Sequence, residues 1–297
     1  MIVDFHCHST ASDGTFEPRE IAAKAREGGF RALALTDHDN ADGVEELKSC
    51  ERADGPRFIR GVELSIEPGK GFDKFHLLAL GVDPANAELQ AFLKRILEGR
   101  NGRNERIFGN FHRLGIEITE EGVAEYAKGD IVARPHFARW LVAHGYATSV
   151  VDAFAKYLLP ESPKATRCYE ERYHPAQEEA FRVVHAAGGI AVMAHPRYWK
   201  SEWSRFDVPG SPVAAGPDYA LCERELARLK EAGLDGLEAL YQANTQGENV
   251  EFTRLATKLG LLKSAGSDFH GLNKPTIPLG MEVSENFIGP LLERLMA

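Results

Sequence analysis

Residues 1–14 read MIVDFHCHSTASDG, an apolar run that ends in two histidines flanking a cysteine. Successive side chains of a strand point to opposite faces, so His6 and His8 share one face and Cys7 takes the other. Two neighbouring imidazoles fill a core poorly. They are either hydrogen-bonded filler at a strand end or a chelating pair that needs partners from elsewhere in the chain. Cys7, turned away from them, is expected to be a buried strand residue, as free cysteines commonly are.

The same design recurs along the chain. The strand pattern ALALT (32–36) runs into Asp37 and His38, a strand over Arg57–Ile66 carries Glu63, and GIAVMAH ends on His195. GLEAL is a further strand, and LKSAG leads to Asp268 and His270. A fourth strand over Phe75–Val82 follows a Pro-Gly-Lys-Gly turn that suggests a hairpin-like connection. Helix patterns with the usual start and stop signals lie between most of them: Glu17–Gly29, Gly43–Ala53, Pro175–Ala187, Tyr219–Ala232 and Glu248–Leu259. Seven strand candidates in this alternation favour an α/β barrel or a layered α/β fold over a bundle or a sandwich. In such folds the C-terminal ends of parallel strands line one mouth. Any one of these histidines alone reads as a hydrogen-bonded structural residue. Together, the imidazoles and carboxylates would repel or stay unsatisfied without a cation.

Between Ala87 and Lys164 the strand pattern gives way to helical ones, among them ELQAFLKRILEG, NERIFGNFHRLG and RPHFARWLVAHG. The expectation is a barrel unit made of residues 1–86 and 165–297, with residues 87–164 inserted as a small helical subdomain over one end of the sheet. Trp199–Pro217 is expected to be a long surface loop.

Composition bounds the remaining possibilities. The chain has 297 residues, 43% hydrophobic and 27% charged, which suits a soluble protein with a large core. No basic segment precedes an apolar stretch at the start, and no window approaches a membrane span, so the cytoplasm is the expected location. The four cysteines form no C-x-x-C pair, which argues against a disulfide framework or a thiolate zinc site. A formal charge of -9 disfavours tight binding to long nucleic acid, though not to a small anion held locally.

The ordered set DFHCHS…SDG, LTDHD, GVE, a strand-borne His76, AHP and GSDFH resembles the polymerase and histidinol phosphatase (PHP) family of metal-dependent phosphoesterases along nearly the whole chain. The resemblance implies a distorted seven-stranded (β/α) barrel with two or three divalent metal ions, Mn, Fe or Zn. Carried over, His6, His8, Glu63 and Asp268 would hold one metal. Glu63 would bridge to a second held by His76 and His195, and Asp13, His38 and His270 would hold a third. Some relatives have His where this chain has Asp13, and the carboxylate makes that site harder. The helical insert followed by ARPHFAR and AHP resembles the bacterial branch that acts on nucleoside 3',5'-bisphosphates and related short nucleotides.

Adjacent divalent cations give a bridging hydroxide at neutral pH and clamp phosphoryl oxygens, so no nucleophilic side chain is required. The phosphate itself needs cationic donors, for which Arg134, His136, Lys164, Arg197, Arg100 and Arg103 are candidates. A solvated helix face is the alternative for Arg100 and Arg103. Pro135 presents Arg134 and His136 at a helix start, where backbone N–H groups also favour anions. Asp37 is expected one step behind the ligands, orienting an imidazole or a water, and Asp39 is expected to cap a helix. Tyr198, Trp199 and Tyr241 are candidates to stack on a base and Asn244 to hydrogen-bond one, with loop or core packing as the alternative. The expected activity is hydrolysis of a phosphomonoester of a small nucleotide, a bisphosphate giving an AMP-type product. Alternatives are a 5'-to-3' exonuclease on short RNA or DNA oligonucleotides, a histidinol-phosphate-type phosphatase, and a metal-binding regulatory domain without catalysis.

Overall fold

The computed structural model describes residues 1–67, 74–127, 131–198 and 217–296. The loop expected over Trp199–Pro217 and the Pro-Gly-Lys-Gly turn therefore lie almost wholly outside the described residues. The chain runs β1 (Ile2–Cys7), α1 (Pro18–Glu27), β2 (Phe30–Leu35), α2 (Val44–Ser49), β3 (Arg57–Ile66) and β4 (Phe75–Leu80). Helices α3 (Ala87–Arg113), α4 (Glu120–Ala124), α5 (Arg134–Ala143) and α6 (Val150–Ala153) follow, with a π-helical turn over Phe154–Leu158. Then come α7 (Gln177–Ala186), β5 (Ile190–Met193), α8 (Tyr219–Ala232), β6 (Gly236–Tyr241), α9 (Gln246–Leu259), β7 (Leu262–Gly266), β8 (Met281–Glu282) and α10 (Glu285–Met296).

All eight strands form one sheet in the order β7-β6-β5-β4-β3-β2-β1-β8. Beyond the end of β7 the chain meets β1, next to the other edge, where Asp268 N donates to His6 O at 2.8 Å and His8 N to Phe269 O at 2.9 Å. The result is a nearly closed barrel. Seven strands were expected. The eighth is a two-residue strand antiparallel to β1, too short to carry any periodicity. The other strands pair in parallel except β4, which is antiparallel to both β3 and β5. Antiparallel neighbours can be joined by a short connection, which is what the turn before Phe75 signalled. Because β4 is reversed, its first residues, not its last, stand at the mouth. His76 accordingly pairs in register with Ser65 near the end of β3.

Side-chain alternation divides the barrel strands between two apolar layers. Leu78 and Leu80 share the face of β4 that carries His76, and they pack with Val3, Phe5, Ala34, Ile59 and Val192. Ile288, Leu291 and Leu292 of α10 complete this cluster. A Cβ at Gly81, at the end of β4 away from His76, would lie 3.0 Å from Leu295, so α10 sits at the end opposite the mouth. The outer layer buries Leu33, Leu35, Val62, Leu64 and Leu77 against the flanking helices.

The helical stretch after β4 has an apolar cluster of its own, built on Ile107, Phe111, Phe137, Trp140, Phe154 and Leu158. Two of its expected helices, 88–99 and 104–115, are instead one continuous 27-residue helix. Its first turn is capped by Asn86, whose side chain accepts from Glu88 N and Leu89 N. Glycines at 99 and 102 weaken helix propensity without breaking the hydrogen-bond ladder.

Candidate metal centre

His6 and His8 close β1, Asp37 and His38 follow β2, Glu63 lies near the end of β3, and His195 comes just after β5. Asp268 and His270 follow β7, and the reversal of β4 adds His76. Asp13 arrives from the loop after β1. Three non-glycine residues here adopt positive φ: Asp39 (52°), His195 (26°) and Asp268 (57°). Such conformations cost energy and cluster where a site dictates side-chain direction.

Glu63 stands at the centre. Its Oε1 lies 2.8 Å from His76 Nδ1, 3.0 Å from His195 Nε2 and 3.3 Å from His6 Nε2. Its Oε2 lies 2.8 Å from His38 Nδ1 and 3.2 Å from His8 Nε2. Donor atoms within 4.8 Å of one another gather as His8, Asp13, His38 and His270; as His6, His8 and Asp268; as His6, Glu63 and His195; and as His38, Glu63 and His76. The nine expected residues are thus brought together. Their grouping differs in that His38 approaches Glu63 as well as Asp13, because both oxygens of Glu63 are turned into the ring of imidazoles.

The atoms behind this ring fix which face each ligand presents. Glu238 Oε1 lies 3.0 Å from His6 Nδ1, and Glu238 Oε2 accepts from His195 N at 2.5 Å. With its Nδ1–H directed at Glu238, His6 offers the Nε2 lone pair to the centre. His270 Nδ1 is likewise bonded to the Asp268 carbonyl at 2.8 Å, which turns Nε2 toward Asp13. Asp268 Oδ2 accepts from Tyr241 Oη at 3.0 Å and from Lys274 Nζ at 2.6 Å. Asp37 accepts from Ser9 N, Ser9 Oγ and Ser12 Oγ at 2.6–2.8 Å, so it pins the loop that carries Asp13 and does not hydrogen-bond an imidazole.

Gly266 lets Glu238 and His6 meet. A Cβ there would fall 2.2 Å from Glu238 Oε1 and 2.4 Å from His6 Cβ. Gly266→Ala is expected to lose about 1–3 kcal/mol of stability through overpacking, read as a lower urea midpoint, with a loss of metal content measured alongside.

Electrostatics favour a cation. Burial pushes the Glu63 carboxyl up, but His38, His6 and His76 outweigh it and hold it well below the ordinary carboxylate range. Asp268 is likewise raised by burial and brought well below that range, foremost by the Lys274 ammonium. Burial with Lys274 and His8 lowers His270 to about 4, so it is a neutral imidazole and a competent ligand. His6 Nε2, both ring nitrogens of His8, Asp13 Oδ1 and Glu63 Oε2 are buried and make no hydrogen bond. Orphaned imidazole and carboxylate donors aimed at one another suit divalent cations and little else.

The remaining expected contacts divide. Arg100 and Arg103 are buried, so the solvated-face alternative is excluded. Arg100 Nη2 lies 2.5 Å from Asp39 Oδ2, and the same oxygen is 3.0 Å from Arg172 Nη2. Asp39 is therefore the counter-ion of two guanidiniums and not a helix cap; α2 is preceded by Gly43. The other oxygen of Asp39 accepts from Ser65 N at 3.1 Å. Arg134 lies over the Tyr169 ring at 5.3 Å, and His136 accepts from Ala133 N at Nδ1 while burial brings its ring to about 4. Lys164 is exposed in the turn beyond the π-helical segment and is not drawn to the centre. Arg197 is committed to Ala243 O and Glu248, bracing the β6–α9 loop in place of a phosphate. Asn244 donates to Asn249 at 2.9 Å while its own Oδ1 is buried and unbonded. Tyr241 is buried with its hydroxyl on Asp268, which removes it as a base-stacking surface. Tyr198 stands edge-on to His195 and Tyr241, and Trp199 lies outside the described residues.

Such a ring of donors at the mouth of an α/β barrel is the site of a metal-dependent hydrolase. The chain belongs to the PHP family: residues 4–154 match the family model of the PHP domain. It is 33% identical, over 90% of this chain and 87% of the relative, to a 3',5'-nucleoside bisphosphate phosphatase of Chromobacterium violaceum. It is 31% identical, over 90% of this chain and 89% of the relative, to a 5'-3' exoribonuclease of Haemophilus influenzae. Among solved structures, an amidohydrolase from Chromobacterium violaceum with bound sulfate and no metal superposes with a TM-score of 0.79 at 31% identity, covering 99% of this chain and 95% of that one. A Bifidobacterium adolescentis protein described as a metal-dependent phosphoesterase superposes with a TM-score of 0.77 at 27% identity, covering 98% and 96%. The protein is a metal-dependent phosphoesterase. Among the described residues no helix is long and apolar enough to cross a membrane.

Proposed function

We propose that this protein hydrolyses a phosphomonoester of a small nucleotide, a nucleoside 3',5'-bisphosphate giving an AMP-type mononucleotide, in the cytoplasm. The observation that carries the reading is the group of guanidiniums beside the donor ring. Arg172 is held by Asp39 and feels the charges of Arg100 and Arg134, while Tyr169 feels both Arg134 and Arg103. Arg172 Nη2 also donates to Ser65 Oγ at 2.6 Å, and Ser65 is the register partner of His76. Arg100 and Arg172 share the one carboxylate of Asp39, and Arg134 and Arg103 stand close by, so guanidiniums gather next to the metal ligands. A second phosphate on the substrate is an anion that such a group of guanidiniums suits, through bidentate charge-assisted contacts.

In this reading His6, His8, Asp13, His38, Glu63, His76, His195, Asp268 and His270 hold two or three divalent ions, Mn, Fe or Zn. Bound there, the ions supply Lewis acidity, acidifying water and neutralising phosphoryl oxygens. The chain's own residues orient and enclose. Glu238 keeps His6 and the His195 backbone in place, and Asp37 keeps the Asp13 loop in place. His136, brought to about 4 mainly by burial and with Nδ1 already accepting from Ala133 N, is neutral and keeps Nε2–H as a donor. Arg100, Arg103, Arg134 and Arg172 hold the phosphate that is not cleaved. Residues 87–164 act as the inserted helical subdomain that brings Arg100, Arg103, Arg134 and His136 over the barrel formed by 1–86 and 165–297.

A phosphate-release screen with Mn-loaded protein tests the reading. A nucleoside 3',5'-bisphosphate is expected to exceed the corresponding monophosphate by ~10-fold or more in kcat/KM, the value of one charge-assisted contact. Equal rates on both, or preference for histidinol phosphate, overturn it. The name carried by the Haemophilus relative supports a second reading, a 5'-3' exonuclease on short RNA. Stepwise release of mononucleotides from a 5'-phosphorylated oligonucleotide, faster than turnover of the bisphosphate, establishes that reading instead.

A further inference from the structure

Glu63 and Asp268 are both buried carboxylates in the donor ring, yet they present themselves differently. Glu63 turns both oxygens to imidazoles. Asp268 turns only Oδ1, which lies 3.6 Å from His6 Nε2, 3.4 Å from His8 Nε2 and 3.3 Å from His270 Nδ1. Its other oxygen is taken by the Lys274 ammonium at 2.6 Å and the Tyr241 hydroxyl at 3.0 Å.

Lys274 is delivered by a short turn that also grips the opposite side of the ring. Gly271–Asn273 forms a 3-10 turn after His270, and Lys274 N donates to Gly271 O at 3.1 Å. Within it, Asn273 Nδ2 donates to the Asp13 carbonyl at 2.5 Å and Leu272 N to Thr15 Oγ1 at 2.9 Å. Gly271 has φ +63°, and a Cβ on it would fall 2.2 Å from Thr15 Oγ1 and 2.7 Å from the Phe16 ring. Only glycine permits the turn to lie this close to the loop that carries Asp13.

We infer that the turn Gly271–Lys274 is a clip that positions two metal-binding carboxylates, and that Lys274, with Tyr241, makes Asp268 a one-oxygen ligand. The ammonium engages one oxygen of the carboxylate and fixes its plane, so Asp268 would offer a bound cation a single oxygen, whereas Glu63 keeps both of its oxygens turned to the ring. Lys274 is a positioning residue: it acts through Asp268. This rests on the reading of Asp268 as a metal ligand.

The test titrates metal-free protein with Mn²⁺ by calorimetry and records the visible spectrum of the Co²⁺-loaded form, comparing wild type with Lys274→Met, Tyr241→Phe and Asp268→Asn. Lys274→Met is expected to weaken binding at one site about 10–100-fold, the usual cost of losing a partner that orients a ligand. It is also expected to change the Co²⁺ band as Asp268 gains a second free oxygen. Tyr241→Phe shifts both readouts in the same direction and carries the test where Lys274→Met does not fold. Wild-type affinity and spectrum in both variants, while Asp268→Asn loses a cation, overturn the clip but not the ligand assignment. Wild-type affinity in Asp268→Asn overturns the assignment itself, and the clip with it.

Discussion

Asp268→Asn is expected to lower phosphate release by more than about a hundredfold, since losing even a partner one step behind a ligand costs ~10–100-fold. Asparagine is the informative replacement because Asp268 has φ 57°, a region that asparagine tolerates and alanine does not. It also keeps an oxygen for Lys274 and Tyr241 while removing the charge that opposes the cation. Phosphate release with Mn-loaded protein, beside an unchanged far-UV circular dichroism spectrum, checks the result. Turnover within a few-fold of wild type contradicts a role for this carboxylate at the centre.

Asp39→Ala is expected to cost about 3–5 kcal/mol of stability, because it strands two buried guanidiniums, Arg100 and Arg172, without their counter-ion. Alanine at φ 52° adds about 1–2 kcal/mol of backbone strain that Asp39→Asn largely avoids. Urea unfolding of the two variants separates the terms: both fall below wild type, and alanine falls further. A loss under about 1 kcal/mol in Asp39→Ala is what an exposed pair gives, and contradicts the burial described here.

The barrel and most of the donor ring were legible in the sequence for one reason. Five runs of apolar β-formers lead into or carry near their end an imidazole or carboxylate, and parallel topology carries those ends to one place, while Asp13 and His76 were legible only through the resemblance to the PHP family. What escaped had no such marker. Glu238 sits inside GLEAL, where it reads as the polar half of an alternation; only the cost of burying a lone carboxylate could have pointed to a buried partner such as His6. Arg172 lies in the segment 169–176, which has no periodicity. Asp39 was misassigned because a side chain's direction at positive φ is invisible in one dimension. Lys274 and its turn follow the last strand among glycine and prolines, where spacing says nothing about direction. β8 is two residues long, and Pro290 interrupts the pattern of α10.

The reversed strand β4 sets a length elsewhere in the molecule. It carries the chain from the mouth down to the closed end, where Asn86 bonds to the carbonyl of Ala186 near the start of β5. From there a single helix brings Arg100 to Asp39 beside the donor ring. The 27 residues of α3 span roughly 40 Å at 1.5 Å per residue, and Arg100 and Arg103 lie midway along it. α3 is thus a ruler clamped at its base. Inserting a single residue between Asn86 and Arg100 would swing both guanidiniums by about 100° around the helix axis, away from Asp39 and the donor ring. Under the proposed function, such a change would also alter which anion the mouth can hold.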